Sequence, residues 1–128
     1  MFGVRVVLFA AAVPLVMRFV PLFRLGWWVT PSGGAAVPLS RSDVVALIGR
    51  IDRLLMRGHP LVRRGCITRG LTLYRFLRRA GVPVSLRFGM GLIDGRLEGH
   101  CWLVCWNEPL GEKHDPRGIF TETWAIPA

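Results

Sequence analysis

Cys66-Ile67-Thr68-Arg69-Gly70-Leu71-Thr72-Leu73-Tyr74-Arg75-Phe76-Leu77-Arg78-Arg79-Ala80-Gly81 decides the fold. Ile67, Leu71, Tyr74 and Leu77 recur on one stripe at helical spacing, with Gly70, Leu73 and Phe76 beside it. Arg78 and Arg79 suit a last turn, where the helix dipole favours cations, and Gly81 is a stop signal. The run therefore predicts a helix that begins on a thiol. A helix start offers partial positive charge and free N–H donors, both of which favour thiolate over thiol. Downstream, Gly99-His100-Cys101-Trp102-Leu103-Val104 reads as a strand that carries an imidazole. A cysteine at a helix start and a histidine on a following strand are how cysteine hydrolases bring nucleophile and base together.

Beyond Gly81 the hydrophobic period changes to two. Val84, Leu86, Phe88 and Met90 alternate with Ser85, Arg87 and Gly89, which predicts a half-buried strand. Asp94-Gly95 is a turn signal inside a connection near residues 91–97. A second strand is expected over 98–106, and a third from Gly118-Ile119-Phe120 to about Ile126. Upstream, Ser40 looks like an N-cap with Asp43 three residues on. Val44, Leu47, Ile48, Ile51, Leu54 and Leu55 mark a helix over 41–57, closed by Gly58 and followed by His59-Pro60. Thr30 to Pro38 has linker composition. Helices followed by strands predict an α+β domain with an antiparallel sheet packed on the Cys66 helix. The expected organisation is an apolar N-terminal helical segment and linker (1–38), then the core (39–128).

The N-terminal segment is the most apolar part of a chain whose mean hydropathy is +0.40. Arg18 and Arg24, with Pro14 and Pro21, interrupt it before a membrane-spanning length of about 20 residues. Ala10-Ala11-Ala12 comes too early for a signal-peptide cleavage site. Residues 4–28 are thus expected to form one or two short helices lying on the domain, on a partner or at a membrane surface. Charge is uneven: residues 1–93 carry +12 and residues 94–128 carry −3, giving the net +9, and sixteen of the 17 basic residues are arginine. Such a surface attracts acidic peptides, anionic lipid or nucleic acid. Three cysteines make an odd number, so a disulfide framework is not expected and a reducing cytosol is the default compartment. Cys101 and Cys105 would stand about 13 Å apart along one strand face, too far to bridge or to share a metal ion.

Along the second strand, alternation puts His100, Trp102, Val104 and Trp106 on one face and Cys101, Leu103 and Cys105 on the other. If His100 faces Cys66, the other two cysteines point away, which singles out Cys66. His59 and His114 fall in a helix-ending turn and a polar loop. An acid is also wanted to hold the imidazole tautomer. Glu108 fits the Asn107-Glu108-Pro109 turn better, whereas Glu112 or Asp115 can return beside His100 if residues 109–115 begin a neighbouring strand. The residues alone also permit a buried apolar Cys66 and a core histidine, since free cysteines are commonly buried.

Cys66-x-x-Arg69-Gly70-Leu71-x-Leu73-Tyr74-x-x-Leu77-Arg78-x-Ala80-Gly81-Val82-Pro83, then Phe88-Gly89, then Gly99-His100-Cys101-Trp102-Leu103-Val104 resembles the small bacterial transglutaminase-like family. That family includes the leader peptidases of lasso-peptide biosynthesis. The resemblance covers roughly residues 40–126, with a less specific echo at Arg18-Phe19-Val20-Pro21-Leu22. It implies a papain-like core with a Cys-His-acid triad: Cys66 as nucleophile, His100 as general base and, by spacing, Glu112 as the acid, with Asp115 in reserve. His-Cys-Trp in place of the commoner His-Ala-Trp is expected to fall on the non-catalytic face. No cofactor or metal is implied. The implied partners are a precursor peptide, a separate leader-recognition protein and possibly a cyclase. The chain has no room for a fused recognition domain of about 80 residues beside its core, and residues 4–28 offer an apolar docking surface.

Three readings follow. The first is a leader peptidase, cytoplasmic and possibly membrane-associated. The second is a transglutaminase-like amidase or hydrolase of another substrate, since a fold does not fix its substrate. The third is a noncatalytic arginine-rich module. Nucleic-acid binding wants aromatics interleaved with arginine. Trp27 and Trp28 lie outside the arginine cluster at 50–79, and Tyr74 and Phe76 face the core.

Overall fold

The computed structural model describes residues 2–21, 24, 26, 29–31, 39–58, 65–112 and 114–127. Most of the expected linker, together with Trp27, Trp28, His59 and Pro60, lies outside the described residues. The fold is α+β. Helices α1 (Phe2–Phe19), α2 (Arg41–Arg57) and α3 (Cys66–Arg79) precede strands β1 (Ser85–Ile93), β2 (Arg96–Cys105), β3 (Glu108–Leu110) and β4 (Thr121–Ile126). The strands form one antiparallel sheet in the order β3-β2-β1-β4.

The helix ends are chemically specified. The Ser40 hydroxyl accepts the Asp43 N–H at 3.2 Å and caps α2. At the end of α3, Gly81 takes φ +92°, and the N–H groups of Gly81 and Val82 return to the carbonyls of Arg78 and Leu77. This double bond across a left-handed residue is a Schellman stop, open to glycine at little steric cost. The buried side chains of α3, among them Leu71, Leu73, Tyr74 and Leu77, share one core with Val44 and Ile51 of α2 and Leu86 and Leu103 of the sheet.

Helix α1 runs unbroken for 18 residues through Pro14. Val6, Ala10 and Val13 are completely buried in the common core, and Phe2 and Phe9 each meet Phe76 edge-on at ring separations of 5.6 and 5.9 Å. That apolar packing holds the helix through the proline, whose missing N–H removes only one bond from the ladder. The opposite side exposes Val4, Leu8, Leu15 and Phe19. By length and composition alone α1 is long and apolar enough to cross a membrane, a test that the core helix of a soluble protein also passes.

The sheet is longer at its free end than expected. β1 and β2 pair without interruption from Ser85↔Val104 to Ile93↔Arg96, so the connection expected over 91–97 shrinks to the two-residue turn Asp94-Gly95. Both residues have positive φ, the geometry that matches a hairpin's twist. Trp106 and Asn107 make a second such turn, with Arg41 stacked 4.9 Å over the Trp106 ring, and Glu108 opens β3 rather than sitting in the turn. The last strand begins at Thr121, not Gly118, because Pro116–Gly118 wind into a short 3₁₀ turn capped by Asp115.

That turn carries Ile119 and Phe120 across the face of β1. The approach needs glycine at two positions: a Cβ on Gly89 would lie 2.7 Å from the Thr121 carbonyl oxygen, and one on Gly91 only 2.4 Å from that of Ile119. Gly91→Ala is therefore expected to lower the urea-unfolding stability by about 2 kcal/mol through overpacking. Gly118→Ala, whose Cβ would meet nothing within 4 Å, should stay within about 0.5 kcal/mol of the parent.

Candidate active site

Cys66 is the first residue of α3, and its N-cap is Gly65, which has no side chain to bond the first-turn amides. The positive end of the helix is thus left open at the sulfur. Gly70, one turn on, lets the helix settle against the sheet, where a Cβ would stand 2.9 Å from Cys101 Sγ and 3.0 Å from Leu86. The Cys101 thiol donates to the Cys66 carbonyl oxygen at 2.8 Å.

This contact corrects one expectation. Burial does not alternate at the site: Cys101, Trp102 and Leu103 are all buried, and His100 is partly exposed. The first turn of α3 comes down on β2 at residues 100–101, close enough for neighbours on opposite faces both to reach Cys66. Cys101 is therefore beside the nucleophile candidate, not on a remote face. Hydrogen bonding from the Cys101 side chain is the largest influence on the Cys66 thiol. With added help from the Cys101 backbone, the His100 hydrogen bond and the His100 charge, it outweighs desolvation and lowers the thiol pKa to about 5. Cys101 moves the opposite way, held protonated first by its bond to Cys66 and then by burial. The pair divides into one thiolate and one thiol donor.

His100 is fixed from three sides. Its Nε2 lies 2.5 Å from Glu112 Oε1, while Trp102 stacks on the ring at a centroid separation of 6.1 Å and Phe120 covers it at 5.0 Å. With Nε2 directed to the carboxylate, Nδ1 is the nitrogen left for proton exchange with sulfur. Glu112 arrives by strand register. Leu110 pairs with Leu103, so running the register on by two residues brings Glu112 level with Cys101, next to His100. Of the acids weighed from sequence, Glu112 meets the imidazole. Asp115 accepts from the Arg117 N–H at 2.9 Å and pairs with its guanidinium at 2.7 Å, which holds its carboxyl below the usual range. Glu108 also faces Arg117. His114 lines the outer part of the cleft that His100 opens onto.

Arg69 is a further member that sequence reading left without a partner. It sits on α3 one turn after Cys66 and donates from Nε and Nη2 to both carboxylate oxygens of Asp52 on α2, at 2.7 and 3.0 Å. Nη2 also donates to the Gly111 carbonyl oxygen at 3.1 Å. Each partner of the ion pair is about a third exposed, so its net contribution to stability is about 1 kcal/mol or less. Its importance is positional: one guanidinium ties α2, α3 and the residue before Glu112 together. The sequence signal was Asp52, an acid placed between Arg50 and Arg53 on α2.

Two results are expected. The alkylation rate of Cys66 by iodoacetamide should be flat from pH 6 to 8 and fall about tenfold per pH unit below 5, as the thiolate is protonated. Cys101 and Cys105 should stay unlabelled, and Cys101→Ala should move the Cys66 midpoint upward. Arg69→Ala, by releasing Gly111 and Glu112, should lower activity about tenfold or more while changing the unfolding midpoint little. Arg69→Lys should restore only part of it, because lysine cannot reproduce the bidentate fork.

Among the described residues no group of three or more His, Cys, Asp or Glu side chains is placed to hold a metal ion. The chemistry on offer is that of an activated thiol beside an imidazole and a carboxylate. Comparison with curated proteins and with solved structures gives no match. Comparison with protein families matches the transglutaminase-like superfamily over residues 7–125, a grouping that includes cysteine peptidases and acyltransferases. The matched span takes in most of α1 as well as the sheet and the Cys66 helix, and the chain belongs to the transglutaminase-like superfamily.

Proposed function

We propose that the protein is a cysteine peptidase that removes the leader from a ribosomally made precursor peptide, in a maturation of the lasso type. The observation that carries this reading is the uncapped helix start at Cys66, set beside an imidazole that a carboxylate holds, where the neighbouring Cys101 and His100 favour the thiolate. In this mechanism the Cys66 thiolate attacks the scissile carbonyl, and the oxyanion forms beside the uncapped first-turn amides. His100 gives a proton to the leaving amine, leaving a thioester on Cys66. His100 then takes a proton from water, whose oxygen attacks the thioester and frees the acid and the thiolate. Glu112 keeps the ring oriented and stabilises it when charged.

The same reading places the reaction in the cytosol and gives the enzyme a separate leader-recognition protein, with a cyclase acting on the freed peptide. The exposed stripe Val4, Leu8, Leu15 and Phe19 supports docking of that recognition protein on α1. A membrane would compete for the same stripe.

The test is incubation with a synthetic lasso-type precursor peptide, with and without a leader-recognition protein, followed by intact mass. One cut at the leader–core junction is expected. Cys66→Ala should abolish it, and His100→Ala should slow it at least 10³-fold. Glu112→Gln should slow it about 10²-fold without loss of fold. Cleavage that persists in Cys66→Ala would sink the proposal.

A further inference from the structure

His100 and Cys66 each line a cleft, and the two clefts share no lining residue. One, of about 530 Å³, includes Asp52, Arg69, His100, Glu112 and Phe120. The other, of about 440 Å³, runs between the C-terminal half of α1 and the first turn of α3, with Pro14, Met17 and Arg18 facing Cys66, Ile67 and Thr68. The segment expected to lie on the domain, on a partner or at a membrane surface thus supplies one wall of the groove at the thiol.

The division of labour at the site assigns a direction. The leaving amine must receive its proton from His100, so the amine side of a bound peptide belongs in the His100 cleft. The acyl side is left to the cleft walled by α1. That wall is apolar at Pro14, Met17 and Ile67 and carries one cation, the exposed Arg18. None of the ion pairs among the described residues involves Arg18. The surrounding charge acts the same way, since residues 1–93 carry fourteen arginines against two acids and attract an acidic chain over a Debye length.

We propose that this cleft is the acyl-side subsite and that Arg18 selects peptides with an Asp or Glu side chain just before the scissile bond. The inference rests on Cys66 as the nucleophile, and it names the substrate class: leaders with an acidic residue near their C-terminal end.

The test uses peptidyl chloromethyl ketones that differ only in Glu, Gln or Lys at the acyl-side positions. The Cys66 sulfur displaces chloride, forming one C–S bond as one C–Cl bond breaks, and intact mass gives the rate. At low salt the Glu reagent should label the wild-type protein about tenfold faster than the Gln reagent. Arg18→Gln should bring that ratio to about one, and Arg18→Glu should favour the Lys reagent. Equal rates for Glu and Gln on the wild-type protein, or a preference that survives Arg18→Gln, would overturn the subsite. Iodoacetamide separates the two levels. Selective labelling of Cys66 with no Glu preference rejects the subsite alone, whereas no selective labelling at Cys66 rejects the nucleophile and the subsite together.

Discussion

The site depends on how closely the first turns of α3 lie against strand β2. Gly70 permits the approach, because a Cβ there would collide with Cys101 and Leu86. The Cys101 thiol then closes it by donating to the Cys66 carbonyl. A helix held further off would separate Cys66 from His100 and would leave the Cys101 donor buried without an acceptor, at a cost of about 1–3 kcal/mol. Packing and thiolate chemistry thus share one residue pair. The bond that seats the helix ends on the Cys66 carbonyl oxygen, while the Cys101 and His100 side chains beside the sulfur lower the thiol, so stability and reactivity are not opposed at this point.

A second contact works at right angles to the first. Arg69 joins Asp52, its own helix and Gly111, while Gly89 and Gly91 allow the 119–121 segment to cross β1 and lay Phe120 on His100. The imidazole is held by the loop after β3 on one side and by the turn before β4 on the other. Both supports come from chain that follows β2, so the histidine is fixed by segments that fold back onto the strand that carries it.

Sequence reading reached the elements whose signals are local. The bounds of α2 and α3 follow from Ser40, Gly58 and Gly81 together with a 3.6-residue period, and Cys66 and His100 stood out by residue type, one at a helix start and one on a strand. What it missed was made by approach in space. Asp94-Gly95 gave the turn, but the strands extend to meet it because Leu92 and Leu97 pair across the hairpin while staying exposed. Hydrophobic alternation gives no warning of such a paired, solvated end. Cys101 was assigned by alternation to a remote face, and alternation says nothing of a helix end that reaches both faces. Arg69 found its partner 17 residues away on another helix. Between Glu112 and Asp115 the deciding fact is the register of β3 on β2, which spacing alone does not contain.

The N-terminal helix carries the least local information and the most consequence. Its sequence is apolar nearly all round, so no hydrophobic face predicts which side packs. In the fold, Val6, Ala10 and Val13 are taken by the core, and the opposite stripe stays in solvent. Between these faces, Pro14, Met17 and Arg18 run alongside Cys66. A helix that is at once core, groove wall and exposed apolar surface ties the groove beside Cys66 to whatever covers the stripe. A recognition partner seated on Leu8 and Leu15 would hold its peptide within a few turns of α1 from the thiol, at 1.5 Å of rise per residue. The partner would then raise the local concentration of the scissile bond without adding a contact to the catalytic residues.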